Sequence, residues 1–245
     1  MLEGRVALVT GSSQGLGRII AHTLARAGAQ VVVNCRSHPE KAEAVVEEIA
    51  RQGGQAQAYC CDVADEGAVR AMFEALAPVD ILVNNARLDP YFRSPEDSDG
   101  EWFNRVLNVN LTSAYLCSLA FFEQAKPRGW GRIVNISSVR SFIPAEMNMI
   151  AYGVSKLGMH GLTRAFADNG APFGITANTV APGMVITENI DRRLTPEMKE
   201  RECARIPLRR AGTSEEIADA VLFVVNNGYV TGETININGG MYYAP

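Results

Sequence analysis

The sequence predicts a doubly wound α/β fold, with about seven parallel strands in a sheet covered by helices on both faces. Two observations predict it. Short apolar runs alternate with longer helix-like segments along the 245 residues, and such alternation argues a parallel sheet wound by right-handed crossovers. The first strand also enters a helix through a glycine-rich turn, Thr10-Gly11-Ser12-Ser13-Gln14-Gly15-Leu16-Gly17. No linker, low-complexity tract or repeat interrupts the pattern, so one domain over 1–245 is expected.

Strands are expected at 6–9, 30–34, 56–60, 81–84, 132–137, 175–180 and 234–237, each a short run such as Val6-Ala7-Leu8-Val9. Helices are expected at 15–27, 39–52, 66–76, 101–125, 152–167 and 214–225. Thr213 or Ser214, followed by Glu216, resembles an N-cap for the last helix. The segment 184–208 breaks the rhythm. It is polar, contains Pro196 and Pro207 as breakers, and follows Pro182-Gly183 directly after a strand. Ligands of open α/β sheets bind outside the carboxyl ends of strands, so an insertion there is expected to be a substrate lid.

Composition narrows the function classes. Apolar residues are 47% and charged residues 20% of the chain, as in ordinary globular proteins. The net charge of −4 and the lack of a Lys/Arg cluster give no case for nucleic acid. No apolar run reaches the roughly 18 residues of a membrane span. The first strand begins at Val6, which leaves no room for a signal peptide. The five cysteines, Cys35, Cys60, Cys61, Cys117 and Cys203, are odd in number and lack metal-site spacing. Reduced thiols, no metal and a cytoplasmic location are expected.

The glycine-rich turn points to a dinucleotide. A helix N-terminus offers unpaired N–H groups and a positive dipole end, and glycines let backbone approach a pyrophosphate. This makes the fold Rossmann-type. The glycine spacing is G-x-x-x-G-x-G, not the common G-x-G-x-x-G. After the second strand an acid would bind the ribose hydroxyls of NAD, whereas an Arg accommodates the 2′-phosphate of NADP. The sequence there reads Asn34-Cys35-Arg36-Ser37. NADP(H) is therefore favoured over NAD(H), with Ser12, Ser13, Asn34 and Ser37 available to help hold the phosphate. Asp62, followed by Val63, is placed either to accept from an adenine amino group or to form a local Asx-turn. Asn84-Asn85-Ala86 suits an irregular turn beside a ligand.

Tyr152 and Lys156 stand four apart in a helix-like segment, which stacks them on one face. An ammonium beside a phenol favours the phenolate and makes it a usable general acid/base. Ser138, at the end of the preceding strand, could hydrogen-bond a substrate carbonyl and fix its geometry.

These motifs together resemble a classical short-chain dehydrogenase/reductase over nearly the whole chain. The resemblance rests on T-G-x-x-x-G-x-G at 10–17, Asp62, N-N-A at 84–86 and Asn110. It continues through S-S-V at 137–139, Y-x-x-x-K at 152–156, P-G at 182–183 with Thr187, and N-G-G at 238–240. It implies an enzyme that interconverts a ketone and a secondary alcohol by hydride transfer. Tyr152 would move the proton, Lys156 would tune Tyr152 and hold the nicotinamide ribose, and Ser138 would orient the substrate oxygen. Asn110, read as mid-helix, would hold a water of the proton relay. The cofactor set it implies is Gly11, Ser13, Gln14, Gly15, Leu16, Gly17, Arg36, Asp62, Val63, Asn85, Ala86, Tyr152, Lys156, Pro182, Gly183, Val185 and Thr187. Many NADP-preferring relatives carry a basic residue at Gln14, so Arg36 is expected to recognise the phosphate largely unaided. The resemblance also implies a homotetramer packed through the helices around Asn110 and Tyr152.

The chain departs from the family where N-N-A-G becomes Asn84-Asn85-Ala86-Arg87. Arg87 is expected to adopt a non-glycine turn with its side chain outward; the alternative is reach to the entrance, favouring an anionic substrate. Phe142, Ile143, Pro144, Met147, Met149, Ile150 and Met184 supply apolar candidates for a substrate pocket. Within the family the chain is most similar to 3-oxoacyl-(acyl-carrier-protein) reductases and glucose-dehydrogenase-like members. Phe173 stands where the former often carry a basic residue, which weakens an acyl carrier protein as partner, while Arg128 and Arg132 remain near the other expected docking edge. The expected function is an NADPH-dependent reductase of a 3-oxoacyl-like ketone. A sugar or polyol dehydrogenase working oxidatively is the alternative, and a non-catalytic NADP-binding regulator lies outside that class.

Overall fold

A computed structural model describes residues 2–91 and 93–244. Seven parallel strands form one sheet in the order β3-β2-β1-β4-β5-β6-β7. They are β1 (Val6–Val9), β2 (Gln30–Cys35), β3 (Gln55–Cys60), β4 (Ile81–Asn84), β5 (Gly131–Ile136), β6 (Ile175–Pro182) and β7 (Thr234–Ile237). The helices are α1 (Gly15–Arg26), α2 (Pro39–Arg51), α3 (Glu66–Ala75), α4 (Asp99–Leu107), α5 (Ser113–Ala125), α6 (Ile150–Gly170), α7 (Glu188–Arg193), α8 (Pro196–Ala204) and α9 (Ser214–Asn226). The strand order reverses between β1 and β4, and the carboxyl ends there form the crevice where such sheets bind ligands.

The strands are apolar because both faces are covered. Side chains alternate across a strand, so Ala7 and Val9 join Val31, Val33, Val134 and Val180 under α1, α2 and α9, whose Ile20, Leu24, Val45, Ile49, Ile217 and Val221 face them. Leu8, Val32, Leu82 and Ile133 face the other way, onto Met72 and Phe73 of α3 and Cys117 and Phe121 of α5. Burial of a Leu, Ile or Phe is worth about 1.5–3 kcal/mol, so these two layers hold the frame rigid beneath the crevice.

Local chemistry sets the helix ends. Thr213 is the cap of α9, in a reciprocal capping box with Glu216. A second capping box, Ser98 with Glu101, starts α4 earlier than its apolar pattern suggests.

Two expectations are corrected. The helix expected over 101–125 is divided by a π-helical turn at Asn108–Thr112, so Asn110 sits in an insertion and not in regular helix. The polar segment 184–208 contains α7 and α8. Pro196 begins α8 instead of breaking structure, because a first-turn proline lacks only an N–H that the helix does not use, and Thr195 Oγ1 caps it by accepting from Met198 N at 3.3 Å.

Candidate active site

The turn between β1 and α1 uses its three glycines for three different reasons. Gly11 has φ +61°, and a Cβ there would stand 2.9 Å from Ala86 Cα. Gly17 is helical, but a Cβ would meet Asn85 Nδ2 at 2.5 Å and Gly11 O at 2.7 Å. Gly15 has φ +57° and faces open space. Gln14, which precedes α1, gives no side-chain cap, so the first N–H groups of the helix are directed at that space. The residues fit a dinucleotide phosphate.

Neighbouring polar side chains hold this turn in shape. Asn85 Nδ2 donates to Thr10 O at 2.8 Å and Gly11 O at 3.1 Å, while Thr10 Oγ1 accepts from Asn85 N and Ala86 N at 3.0 Å each. Asn34 Oδ1 accepts from Gly11 N at 3.1 Å, and its amide donates toward Tyr59 O and Cys61 O. Ser12 Oγ donates to Val9 O at 2.6 Å and accepts from Asn34 N at 3.1 Å. Ser12 and Asn34 are thus buried fasteners of the turn, which corrects the expectation that they help hold a 2′-phosphate. Arg36 and Ser37 are exposed, and Arg36 has no side-chain partner among the described residues. Asp62 Oδ1 accepts from Ala64 N at 2.9 Å, which forms an Asx-turn. The five cysteines are free. Burial pushes the Cys35 and Cys61 thiols up to about 11, which keeps them protonated at neutral pH.

Across the crevice, β5 ends at Ile136 and delivers Ser137 and Ser138. Ser138 Oγ accepts from Arg140 N at 3.2 Å at the start of a short helical turn. Tyr152 and Lys156 lie on one face of α6. Lys156 is buried, at 1% exposure. Its Nζ donates to Ile136 O at 2.7 Å and lies 5.8 Å from the ring centroid of Tyr152. Burial, and then the positive charge of Arg87, pushes Lys156 down to about 7. Asn110 ties two walls together: Oδ1 accepts from Leu88 N at 2.7 Å, and Nδ2 donates to Ser155 Oγ at 3.2 Å.

Arg87 is exposed, as expected for a side chain directed outward. It adopts a turn with negative φ, pairs with Asp89 Oδ2 at 3.3 Å, and is near enough to depress Lys156. Asp89 Oδ1 also receives Arg193 of α7 at 3.3 Å, and the Arg193 guanidinium lies 4.0 Å over the Tyr91 ring. One carboxylate therefore connects the loop after β4 to the 184–208 segment. The sequence offered no signal for this pairing.

The remaining cofactor candidates follow β6. Gly183 N donates to Ile237 O at 2.9 Å, and a Cβ on Gly183 would meet Asn238 Cα at 2.8 Å. Val185 is buried and bridges to Gly212. Thr187 and Gly15 line one cleft of about 550 Å³, together with Ile19, Cys203 and Thr213. Arg128 and Arg132 both have partners within the chain. Arg128 pairs with Asp80 at 2.7 Å. Arg132 is buried, donating to Val225 O, Gly131 O and Gly174 O with its guanidinium 4.2 Å over the Trp130 ring. Among the described residues, no helix is long and apolar enough to cross a membrane, and no group of three or more His, Cys, Asp or Glu could hold a metal ion.

The chain is similar to known oxidoreductases over almost its full length. A family model described as enoyl-(acyl carrier protein) reductase matches residues 11–242. The 3-oxoacyl-(acyl-carrier-protein) reductase of Aquifex aeolicus is 39% identical over 250 residues, 98% of each chain. Glucose 1-dehydrogenase 2 of Bacillus subtilis is 35% identical over 100% of this chain and 97% of its own. A gluconate 5-dehydrogenase from Burkholderia cenocepacia, solved with NADP and tartrate, superposes with a TM-score of 0.86 at 32% identity, covering 98% of this chain and 96% of that one. A glycine turn at a sheet crevice and a Tyr-Lys pair on one helix agree with these likenesses: the chain is an oxidoreductase of the short-chain dehydrogenase/reductase family, acting on CH–OH or C=O groups.

Proposed function

We propose that the chain is an NADPH-dependent reductase of a small ketone, with Tyr152 as the general acid/base. The observation that carries this is the one-face placement of Tyr152 and Lys156 on α6, with Lys156 Nζ buried against Ile136 O. The nicotinamide, when bound, supplies the hydride in reduction or accepts it in oxidation. Tyr152 Oη gives its proton to the carbonyl oxygen in reduction and takes it from the alcohol in oxidation. Lys156, protonated, stabilises the oxyanion left on Tyr152 and holds the nicotinamide ribose. Ser138 Oγ donates to the substrate oxygen and orients it. The π-helical turn at Asn110 takes a carbonyl out of the regular helical ladder, which suits a water of the proton path.

NADP is favoured because β2 ends without a carboxylate and Arg36 is exposed beside the turn. Backbone at Ser13, Gln14, Gly15 and Leu16 would cradle the pyrophosphate while Gly11 and Gly17 hold the turn in shape, Asp62, Val63 and Ala86 would flank the adenosine, and Pro182, Gly183, Val185 and Thr187 would face the nicotinamide. Segment 184–208 acts as the lid.

A small molecule is preferred to a carrier-bound acyl group as substrate, since Arg132 is buried and Arg128 is already paired with Asp80. The same observation favours a second reading, a sugar or aldonate dehydrogenase working oxidatively, in keeping with the glucose and gluconate dehydrogenases among its relatives. A homotetramer is supported by exposed apolar side chains at helical spacing, Tyr115 and Leu119 on α5 and Ile150, Val154 and Leu157 on α6. The cytoplasm is the compartment this chemistry suits.

The test is a panel of ketones and alcohols with NADPH, NADP⁺, NADH and NAD⁺, run on the wild type and Tyr152→Phe. NADPH oxidation that disappears in Tyr152→Phe supports the mechanism. Undiminished turnover in that variant overturns it, and strong preference for NAD⁺ with a polyol favours the second reading.

A further inference from the structure

We infer that His160 is a positioning residue that locks the Ser138 segment to the Lys156 segment; this rests on the functional reading given above. His160 is one turn beyond Lys156 on α6 and is buried, at 4% exposure. Its Nε2 lies 3.0 Å from Ser137 Oγ and 2.9 Å from Ser141 Oγ, and its Nδ1 lies 2.9 Å from Thr234 Oγ1 on β7.

The proton positions follow from the partners. Ser137 Oγ is 2.8 Å from Lys156 O, and Ser141 Oγ is 2.6 Å from Ser138 O. A carbonyl oxygen only accepts, and each hydroxyl has one proton. Both serine protons are therefore spent on the two carbonyls, and both serine oxygens face Nε2 as acceptors. Nε2 must carry the ring proton and share it between them. Nδ1 is then the acceptor, filled by the Thr234 hydroxyl. The imidazole is neutral in the Nε2–H tautomer, and its burial together with the charge of Arg164 agrees, pushing His160 down to about 4.

The arrangement joins three elements at one ring. Ser137 carries the link to the backbone of Lys156, Ser141 carries it to the backbone of Ser138, and Thr234 anchors the ring to β7. Phe142 covers the ring at 4.9 Å and stacks on Tyr242 at 4.5 Å. His160 bonds through its ring nitrogens to Ser137, Ser141 and Thr234 and not to the side chains of Ser138, Tyr152 or Lys156. It acts through the two hydroxyls, which fix where Ser138 stands relative to Tyr152 and Lys156. A misplacement of about 1 Å costs on the order of 100-fold in rate.

The experiment measures NADPH-dependent reduction of ethyl acetoacetate by the full chain, with Tyr152→Phe as control. His160→Leu fills the space but cannot donate. His160→Gln keeps an N–H donor where Nε2 stands. The expected result is a kcat 10- to 100-fold lower in His160→Leu, an NADPH Kd within twofold of wild type, and recovery of most of the kcat in His160→Gln. Ser141→Ala, which breaks one arm only, should lower kcat about 5- to 10-fold with the same unchanged Kd, and it decides the matter if His160→Leu does not fold. Unchanged kcat in folded His160→Leu or in Ser141→Ala overturns the inference, as does a kcat loss that Gln fails to restore. Turnover that survives in Tyr152→Phe overturns the functional reading itself, an outcome separable from the loss or retention of kcat in the His160 and Ser141 variants.

Discussion

Arg87 and Lys156 are two cations on facing elements, and the charge of Arg87 helps depress Lys156 to about 7. Asp89, paired with Arg87 at 3.3 Å, offsets part of that charge. Changing either partner should therefore move the titration of Lys156 in opposite directions. Asp89→Asn uncovers the Arg87 charge and lowers the Lys156 pKa. Arg87→Gly removes the charge and raises it. If protonated Lys156 is the working form, the alkaline limb of kcat/KM, which reports the free enzyme, shifts to lower pH in Asp89→Asn and to higher pH in Arg87→Gly. The check is the pH profile from 5.5 to 9.5. Coincident limbs in both variants would show that this ion pair has no hold on the site.

A buried lysine with a depressed pKa also opposes folding. Lys156 ordinarily titrates near 10.5 and is held near 7 in the fold. Between these values the unfolded chain binds more protons than the native one, so stability rises with pH across that window and is lowest below about 7. Lys156→Met should abolish this dependence. The measured stability of the wild type relative to Lys156→Met should increase from pH 7 to pH 10 in urea titrations, while kcat falls by about 100-fold or more. A gap that stays constant with pH would contradict the burial of that ammonium.

Arg36 should act on one cofactor alone. It is exposed, follows β2 and has no internal partner among the described residues. A hydrogen bond to a charged group contributes about 1.5–3 kcal/mol. Arg36→Ala should raise the NADPH Kd about 10- to 100-fold and leave the NADH Kd unchanged, as read by nucleotide fluorescence. The NADPH loss should shrink at high salt, because an exposed charge is screened.

Arg132 is expected to behave as a core residue despite its charge. It satisfies three backbone carbonyls and stacks on Trp130. Arg132→Met leaves those carbonyls unpaired in a buried place, at a cost of about 2–3 kcal/mol. The denaturation midpoint should fall with no change in m-value. Weakened binding of an acidic carrier protein with intact stability would instead restore Arg132 as a docking residue.

The sheet was legible because each strand is a short apolar run and each covering helix is longer and periodic. The Tyr152–Lys156 pair was legible because helical spacing alone puts the two on one face. What the sequence does not reveal depends on partners distant in the chain. Asn34 looked like a phosphate ligand beside Arg36, yet its amide is consumed by Gly11, Tyr59 and Cys61. Nothing in the run Leu107-Asn108-Val109-Asn110 marks an inserted residue, so the π-helical turn at Asn110 leaves no trace in the sequence. Pro196 read as a breaker, and only Thr195 as its cap reveals it as a helix start. His160 carried no signal, since its three hydroxyl neighbours come from β7 and from both sides of Ser138.

The three glycines of the β1–α1 turn divide the labour of a motif usually treated as a unit. Gly11 and Gly17 are required by the protein itself, because Ala86, Asn85 and Gly11 O already occupy the space a side chain would need. Gly15 has no such neighbour; its left-handed φ constrains the backbone, and the empty space beside it is available to a ligand. The same short motif thus meets two separate physical demands, close packing at its ends and a left-handed turn beside open space in its middle. A relative that lost nucleotide binding could relax the central position to another left-handed-tolerant residue, such as Asn, while the outer two remained glycine.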